Sequence, residues 1–399
     1  MSRQLTWSRP PSEGACPSGR GGHSATQCGN LCIVFGGTFF DEGKFHYLND
    51  VWALDVETLR WHKPSLTGGS KAPRPGPRYG HTSVLVDWKI YIFGGKGENG
   101  LLYNDLWCLD IENWSWELMP TTSTPPTPRL GHCCQAVDGK IVIYSGWDGI
   151  KTTFGDFWVY DRAMYTWSKP KMSGSIPPNR CGATLIYDES NARLVLYGGQ
   201  GINESGHPVL MKDTRDLDLR TMMWSRPVIT GDLPTERYYH ASAVVGNVMV
   251  SFGGWIGPAA AEKENPSKTL KKEDKNKTLS EDAVKVAQQT LTATLAPNGT
   301  SVKETITIPF QPGMGFGDTA APGATISVNV EKHPHTWLLG LDTMEYVQPP
   351  IAGKAPGIRY GATAVACGLQ VLIFGGWEAG RALSELLVLD LRAIQSSQE

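Results

Sequence analysis

A short apolar run that ends in paired glycines recurs along this 399-residue chain, and it constrains the fold more than any other feature. The copies are Ile33-Val34-Phe35-Gly36-Gly37, Tyr91-Ile92-Phe93-Gly94-Gly95, Val195-Leu196-Tyr197-Gly198-Gly199, Val250-Ser251-Phe252-Gly253-Gly254 and Leu372-Ile373-Phe374-Gly375-Gly376. Ile143-Tyr144-Ser145-Gly146 is a variant with serine at the first glycine. The first-glycine positions are 36, 94, 145, 198, 253 and 375, so five copies follow one another at 51 to 58 residues and the last after 122. A regular period of this length marks a chain built from stacked copies of one supersecondary unit.

Each copy brings further punctuation. About 14 residues earlier lies an arginine-led turn: Arg20-Gly21-Gly22-His23, Arg78-Tyr79-Gly80-His81, Arg129-Leu130-Gly131-His132, Arg180-Cys181-Gly182-Ala183, Arg237-Tyr238-Tyr239-His240 and Arg359-Tyr360-Gly361-Ala362. After the glycines comes a third strand ending in Leu-Asp or a close variant, as in Leu106-Trp107-Cys108-Leu109-Asp110. Six residues beyond that aspartate stands a tryptophan: Trp61, Trp116, Trp167 and Trp224. Four short strands per unit of roughly 50 residues predict β-propeller blades. The double glycine, the spaced aromatic and the tryptophan together resemble the Kelch-repeat family, over nearly the whole chain except one insert. The resemblance implies a fold and leaves the function open.

The ends predict ring closure. The last unit stops at Val388-Leu389-Asp390-Leu391 with no tryptophan strand after it, whereas Leu5-Thr6-Trp7-Ser8-Arg9-Pro10 matches Tyr165-Thr166-Trp167-Ser168-Lys169-Pro170. The expectation is an all-β, six-bladed propeller over residues 1–399 with four antiparallel strands per blade, residues near 4–9 completing the sixth. The long last interval places an insert at 256–335 in blade five. Residues 261–280 are polar, of mixed charge and nearly free of aromatics, which predicts disorder. A short helix is predicted near 281–295, introduced by the cap-like Ser280-Glu281-Asp282. A degenerate seventh blade is the alternative, but the insert has no arginine turn, glycine pair or tryptophan, so a decorated loop is preferred.

Composition narrows the function. Forty-five Gly and 27 Pro argue against a helical bundle, and 40% hydrophobic with 19% charged residues argues against a disordered chain. A net charge of −2 gives no reason to expect nucleic acid or an anionic membrane as the main partner. The uncharged stretch 241–261 is long enough to span a bilayer but holds five glycines and prolines, so two strands are expected and no membrane span. The N-terminus lacks the apolar core of a signal peptide. Eight cysteines without a CxxC pair suggest a reducing, cytoplasmic setting.

In Kelch propellers with ligands, the turn before the first strand and the loop after the glycines line one mouth of the ring. Carried over by position, this resemblance implies a partner-binding face of Trp147, Trp255, Trp377, Tyr79, Tyr238, Tyr360, Lys96, Gln200 and Thr38; the alternative is that these rings pack between blades. The six arginines invite a phosphate or acidic-peptide reading, yet recurrence in every unit favours hydrogen bonds to loop carbonyls. His23, His81, His132 and His240 share a repeat position and invite a metal ring. Six-fold related ligands lie too far apart for bonds near 2 Å, two units carry alanine there, and His333-Pro334-His335 is too short a motif, so no metal and no cofactor are expected.

No G-x-S-x-G, Walker loop or HExxH occurs, and the E-x-x-x-D-x-x-x-H pattern of propeller specifier proteins is missing too. The resulting expectation is a non-catalytic interaction module or scaffold subunit, a monomeric propeller within a larger assembly, binding a peptide or protein on its loop face. By resemblance the first candidates are cytoskeletal, ciliary and trafficking assemblies, with cytoplasmic location. Two other classes stay open: a ubiquitin-ligase substrate receptor, weakened by the short polar stretch after the last blade and by the lack of a BTB domain, and a metal-dependent propeller enzyme.

Overall fold

Why the repeats fold alike is visible in their turns. The aspartate that ends the third strand in blades one to four folds back on the turn after it: Asp55 Oδ1 accepts from Glu57 N and Thr58 N, and Asp110, Asp161 and Asp218 do the same at their turns. This Asx geometry sets up the reversal into the fourth strand. Between first and second strands, Asp87-Trp88 and Asp138-Gly139 have positive φ at both positions, the hairpin turn whose twist matches paired strands.

The computed structural model describes residues 5–11, 14–257, 335–352 and 356–395. Among them the strands make a six-bladed β-propeller. Blade one comprises Ser24–Cys28, Leu31–Asp41, Lys44–Asp55 and Arg60–His62. Blade two is Thr82–Val86, Lys89–Phe93, Leu106–Asp110 and Ser115–Leu118; blade three is Cys133–Val137, Lys140–Tyr144, Phe157–Asp161 and Thr166–Ser168. Blade four is Thr184–Asp188, Arg193–Tyr197, Thr214–Asp218 and Met223–Ser225. Blade five is Ala241–Val245, Val248–Phe252, Thr336–Gly340 and Glu345–Val347. Blade six takes Thr363–Cys367, Gln370–Phe374 and Leu386–Asp390 from one end of the chain and Leu5–Ser8 from the other. All these pairs are antiparallel, and the first strands of successive blades touch around the axis.

Closure follows the register expected from the sequence: Thr6 faces Asp390, Trp7 faces Leu389 and Ser8 faces Val388. It also completes a ring of aromatic contacts. In every blade the fourth-strand aromatic packs on the ring that precedes the glycine pair of the blade before. Trp61 meets Phe374, Trp116 meets Phe35 and Trp167 meets Phe93; Trp224 meets Tyr144, Tyr346 meets Tyr197 and Trp7 meets Phe252, all with centroids 4.9 to 5.7 Å apart. These rings are the inter-blade core, and truncating any one of them costs about 3–5 kcal/mol. The helix predicted near 281–295 and the polar stretch 261–280 lie outside the described residues. No helix among the described residues is long and apolar enough to cross a membrane.

Candidate functional site

The arginine turn and the glycine pair of each blade meet at one mouth of the propeller. In every blade the residue after the arginine bridges the residue after the glycines: Gly21 with Thr38, Tyr79 with Lys96, Leu130 with Trp147, Cys181 with Gln200, Tyr238 with Trp255 and Tyr360 with Trp377. All nine residues expected from the sequence are therefore brought to one face.

The mouth is held by two closed circles of backbone hydrogen bonds. In the first, the third residue of each turn donates to its counterpart in the preceding blade: Gly80 N to Gly22 O, then Gly131, Gly182, Tyr239 and Gly361 in order, with Gly22 N closing on Gly361 O, at 2.7 to 2.8 Å. In the second, the second glycine of each pair donates to the arginine carbonyl of the next blade, from Gly37 to Arg78 round to Gly376 to Arg20, at 2.8 to 2.9 Å. Glycine at the first position of the blade-one pair allows a close approach, although Ser145 takes the same left-handed conformation in blade three. A Cβ on Gly36 would lie 2.8 Å from the Arg78 carbonyl and 3.0 Å from the His81 ring, and its φ is +64°.

The arginines are anchors. Each of the six is buried; Arg78, for example, gives Nε to Gly76 O, Nη1 to Gly94 O and both Nη atoms to Asp105 at 2.7 and 2.9 Å. Arg20–Asp50, Arg129–Asp156, Arg180–Asp213 and Arg359–Glu385 repeat this pairing. Bonds to loop carbonyls were expected from the sequence. The acidic partners some 30 residues downstream were not, although an acid just before the third strand recurs in five of the six blades.

The histidines are likewise committed. Nε2 of His81, His132, His240 and His23 pairs with the hydroxyl of Ser24, Thr82, Thr184 and Thr363 in the preceding blade, at 2.6 to 3.0 Å. Where the histidine is Ala183 or Ala362, the facing position is Cys133 or Ala241, so the pair changes as a unit. Burial, reinforced by the neighbouring arginine, holds the imidazoles of His23, His132 and His240 at about 3. No group of three or more His, Cys, Asp or Glu among the described residues is placed to hold a metal ion.

At the centre of the mouth is a depression lined by Tyr79, Leu130, Trp147, Tyr239, Tyr360 and Trp377, floored by Gly22 and Gly361. Tyr239 is the residue that sequence reading missed. It stands where the other five turns carry glycine, keeps a left-handed φ of 52°, and its ring crosses the axis so closely that a Cβ on Gly131 would lie 2.5 Å from its hydroxyl. The substitution of the third turn residue is readable in Arg237-Tyr238-Tyr239-His240; its direction across the axis is not.

The expected aromatics are gathered here but mostly packed down. Trp377 is 1% exposed and Trp147 5%, with Tyr79, Tyr238, Thr38 and Gln200 also buried, while Trp255, Tyr360 and Lys96 are half-buried. Trp377 packs against Gly21, the one turn whose second residue has no side chain to obstruct it. Trp255 meets Tyr360 edge-on at 5.7 Å. Thr38 gives its hydroxyl to His46 O. Both sequence readings thus contribute: the rings share one face, and they also pack against their neighbours. Burial raises the phenols of Tyr79, Tyr238 and Tyr239 and pushes Tyr360 up to about 12, so these mouth tyrosines are neutral at physiological pH. Cys181, bridged to Gln200 at the same mouth, is likewise pushed up to about 12 by burial and carries no thiolate.

Around the depression stand hairpins that continue past the glycines. In blade one the strands Leu31–Asp41 and Lys44–Asp55 run on through a bulge at Phe35/Gly37 and carry stacked Phe39–His46, edge-on Phe40–Phe45 and Tyr47 against Tyr79. Gln200–Ile202 pairs with Pro208–Leu210 in blade four, on the opposite side of a ring of six. The arrangement is a neutral aromatic seat with raised walls. It can accept an apolar side chain or an extended segment.

A family model described as the KLHDC2/KLHL20/DRC7 Kelch-repeats domain matches residues 2–76 and 70–254. Similar curated proteins include host cell factor 1 of Rattus norvegicus, 28% identical over 274 residues, which make up 64% of this chain and 12% of that protein. Host cell factor of Drosophila melanogaster is 30% identical over 264 residues, 61% of this chain and 17% of the relative. Acyl-CoA-binding domain-containing protein 5 of Arabidopsis thaliana is 27% identical over 264 residues, 64% of this chain and 39% of the relative. The match thus spans well under half the length of each of these relatives.

Proposed function

Because the chain belongs to the Kelch-repeat family, we propose that it is an interaction module whose aromatic mouth binds a peptide or protein partner, as a scaffold subunit of a larger cytoplasmic assembly. The observation that carries this reading is the axial depression walled by Tyr79, Leu130, Trp147, Tyr239, Tyr360 and Trp377. Aromatic side chains set in a pocket and ringed by packed neighbours supply most of the binding energy in protein interfaces. The blade-one and blade-four hairpins give such a seat two walls along which a segment can lie. The chemistry of the mouth favours binding over catalysis, since its phenols are neutral and its histidines are bonded into the blade interfaces.

The test uses the intact chain and two substitutions at half-buried rings, Trp255→Ala and Tyr360→Ala. Partners captured from the source cells are quantified against the wild type, with circular dichroism and thermal melting to confirm folding. Loss of a discrete partner set, corresponding to roughly 2 kcal/mol or more, is expected. An unchanged partner set on folded variants refutes the mouth as the binding face. Whether that set belongs to a cytoskeletal, ciliary or ubiquitin-ligase assembly is read from the same experiment.

A further inference from the structure

Blade five departs from its five siblings at one electrostatic position. In blades one to four, a carboxylate at the start of the third strand receives three donors: both Nη atoms of the turn arginine, and a side chain two residues further on. That third donor is Trp52, Trp107 or Trp158 Nε1, or Arg215 Nε in blade four, each at 2.7 Å. In blade six, Glu385 receives Arg359 and Arg9.

The residue at this position in blade five is His335. Its place is fixed by the backbone, because Gly253 N donates to His335 O as Gly94 N does to Asp105 O and Ser145 N to Asp156 O. Both donors that would converge there are still present. Arg237, 2% exposed, uses Nε on Thr235 O, Nη1 on Gly253 O and Nη2 on Thr235 Oγ1. The guanidinium also bonds with the Tyr197 hydroxyl, yet no carboxylate among the described residues pairs with it as one does with its counterparts. Trp337, two residues past His335 and 5% exposed, has a buried Nε1 with no partner among the described residues. A buried guanidinium without a counter-charge and a buried indole N–H without an acceptor are both costly, and one planar anion answers both. In the other blades this place faces solvent, since the carboxylates that occupy it have side chains 16 to 34% exposed, and His335 itself is half-buried.

We propose that Arg237 and Trp337 form a carboxylate-binding site in blade five, which takes from a bound molecule the acceptor that the other blades carry in their own chain. Guanidinium geometry suits bidentate capture of a carboxylate, and the indole N–H adds a third bond from the side. The ligand class is an acidic side chain or a small organic acid. The site stands on blade five alone and uses none of the side chains that line the aromatic depression.

The full chain, labelled with 15N in its tryptophans, is titrated with sodium acetate against sodium chloride at matched ionic strength. The Trp337 indole N–H is assigned by Trp337→Phe. A saturating downfield shift of that one resonance in acetate is expected. Repeating the titration with N-acetylglutamate amide and N-acetylglutamine amide separates an acidic side chain, bound more tightly than acetate, from a free acid bound equally; the glutamine compound shifts nothing. In His335→Asp, which supplies the carboxylate in place, the Trp337 resonance starts at its shifted position, acetate no longer moves it, and the melting temperature in chloride rises. Absence of an acetate shift in the wild type, or an equal shift in His335→Asp, overturns the proposal.

Discussion

Asp156→Ala is the most direct probe of how the mouth is held. Asp156 has the most buried carboxylate of its set, with 16% of the side chain exposed, and its partner Arg129 has none exposed. Two bonds from the guanidinium at 2.7 and 3.2 Å and one from Trp158 Nε1 at 2.7 Å end on it. Arg129, with Trp158 and Lys169, holds this carboxyl below the usual range against the opposing effect of burial. Removing the acid leaves Arg129 with the carbonyls of Thr127 and Ser145 and the face of Phe154, but without a counter-charge. Breaking a buried pair from one side costs about 3–5 kcal/mol. The partial exposure of Asp156 points to the lower end, about 3 kcal/mol, or roughly two decades in the unfolding equilibrium. Asp156→Asn keeps an acceptor for Trp158 and is expected to lose less. Urea unfolding followed by far-UV circular dichroism and tryptophan fluorescence reads both. A loss under about 1 kcal/mol for Asp156→Ala would mean that the arginine turns are held by their carbonyl contacts alone, and the account of the anchors given above would be wrong.

Acidification is expected to act in two stages. Neutral buried histidines with folded values near 3 must be charged on unfolding, so their contribution is lost as pH falls below the unfolded value of about 6.5. Each removes up to about 1.4 kcal/mol per pH unit down to the folded value. The lowered carboxyls of Asp50, Asp156, Asp213 and Glu385 contribute above about pH 4, and that is lost on falling further. Denaturation midpoints from pH 7.5 to 3.5 should therefore drop from near pH 6.5 onward; a flat profile down to pH 4.5 refutes the histidine assignment. Gly131→Ala should destabilise by at least about 1 kcal/mol, because its new methyl meets the Tyr239 hydroxyl, and combining it with Tyr239→Gly should restore much of that loss; additive effects would refute the contact. Cys16 is the one exposed thiol, while burial raises Cys32, Cys133, Cys134 and Cys181. Labelling of the native protein with a thiol reagent should show a single fast site by peptide mapping, and rapid modification of Cys133 or Cys181 would contradict the packing.

The blade pattern was legible because each of its signals answers a local need. Glycine at 36 and 94 is demanded by a carbonyl 2.8 Å from where a Cβ would sit, and aspartate at 55 and 110 by amides two and three residues away. Even the closing strand could be found, since Trp7 had to fill the slot on Phe252 that Trp61 fills on Phe374. The mouth was harder because its contacts cross between blades. That Trp377 would lie down rather than stand in solvent depends on Gly21, more than 350 residues away and adjacent only after the ring has closed. Arg20 and Asp50 are joined across a hairpin whose length differs from blade to blade, so no fixed spacing announces them. The exchange of His with Ser or Thr for Ala with Cys or Ala was present in the repeats, but it becomes a signal only when position 23 of one unit is compared with position 363 of another.

The circle of amides around the axis has an electrostatic corollary. Peptide dipoles in a helix line up head to tail along a line and leave partial charges at its two ends, which is why helix starts attract anions. Here the same head-to-tail order is bent into a loop, from Gly22 through Gly80, Gly131, Gly182, Tyr239 and Gly361 back to Gly22. A loop has no ends, its vectors cancel, and each donor in it is already spent. Around the hub the in-plane dipoles therefore leave no charged end for an anion to find, and the side chains on the surrounding loops supply the charges a partner meets.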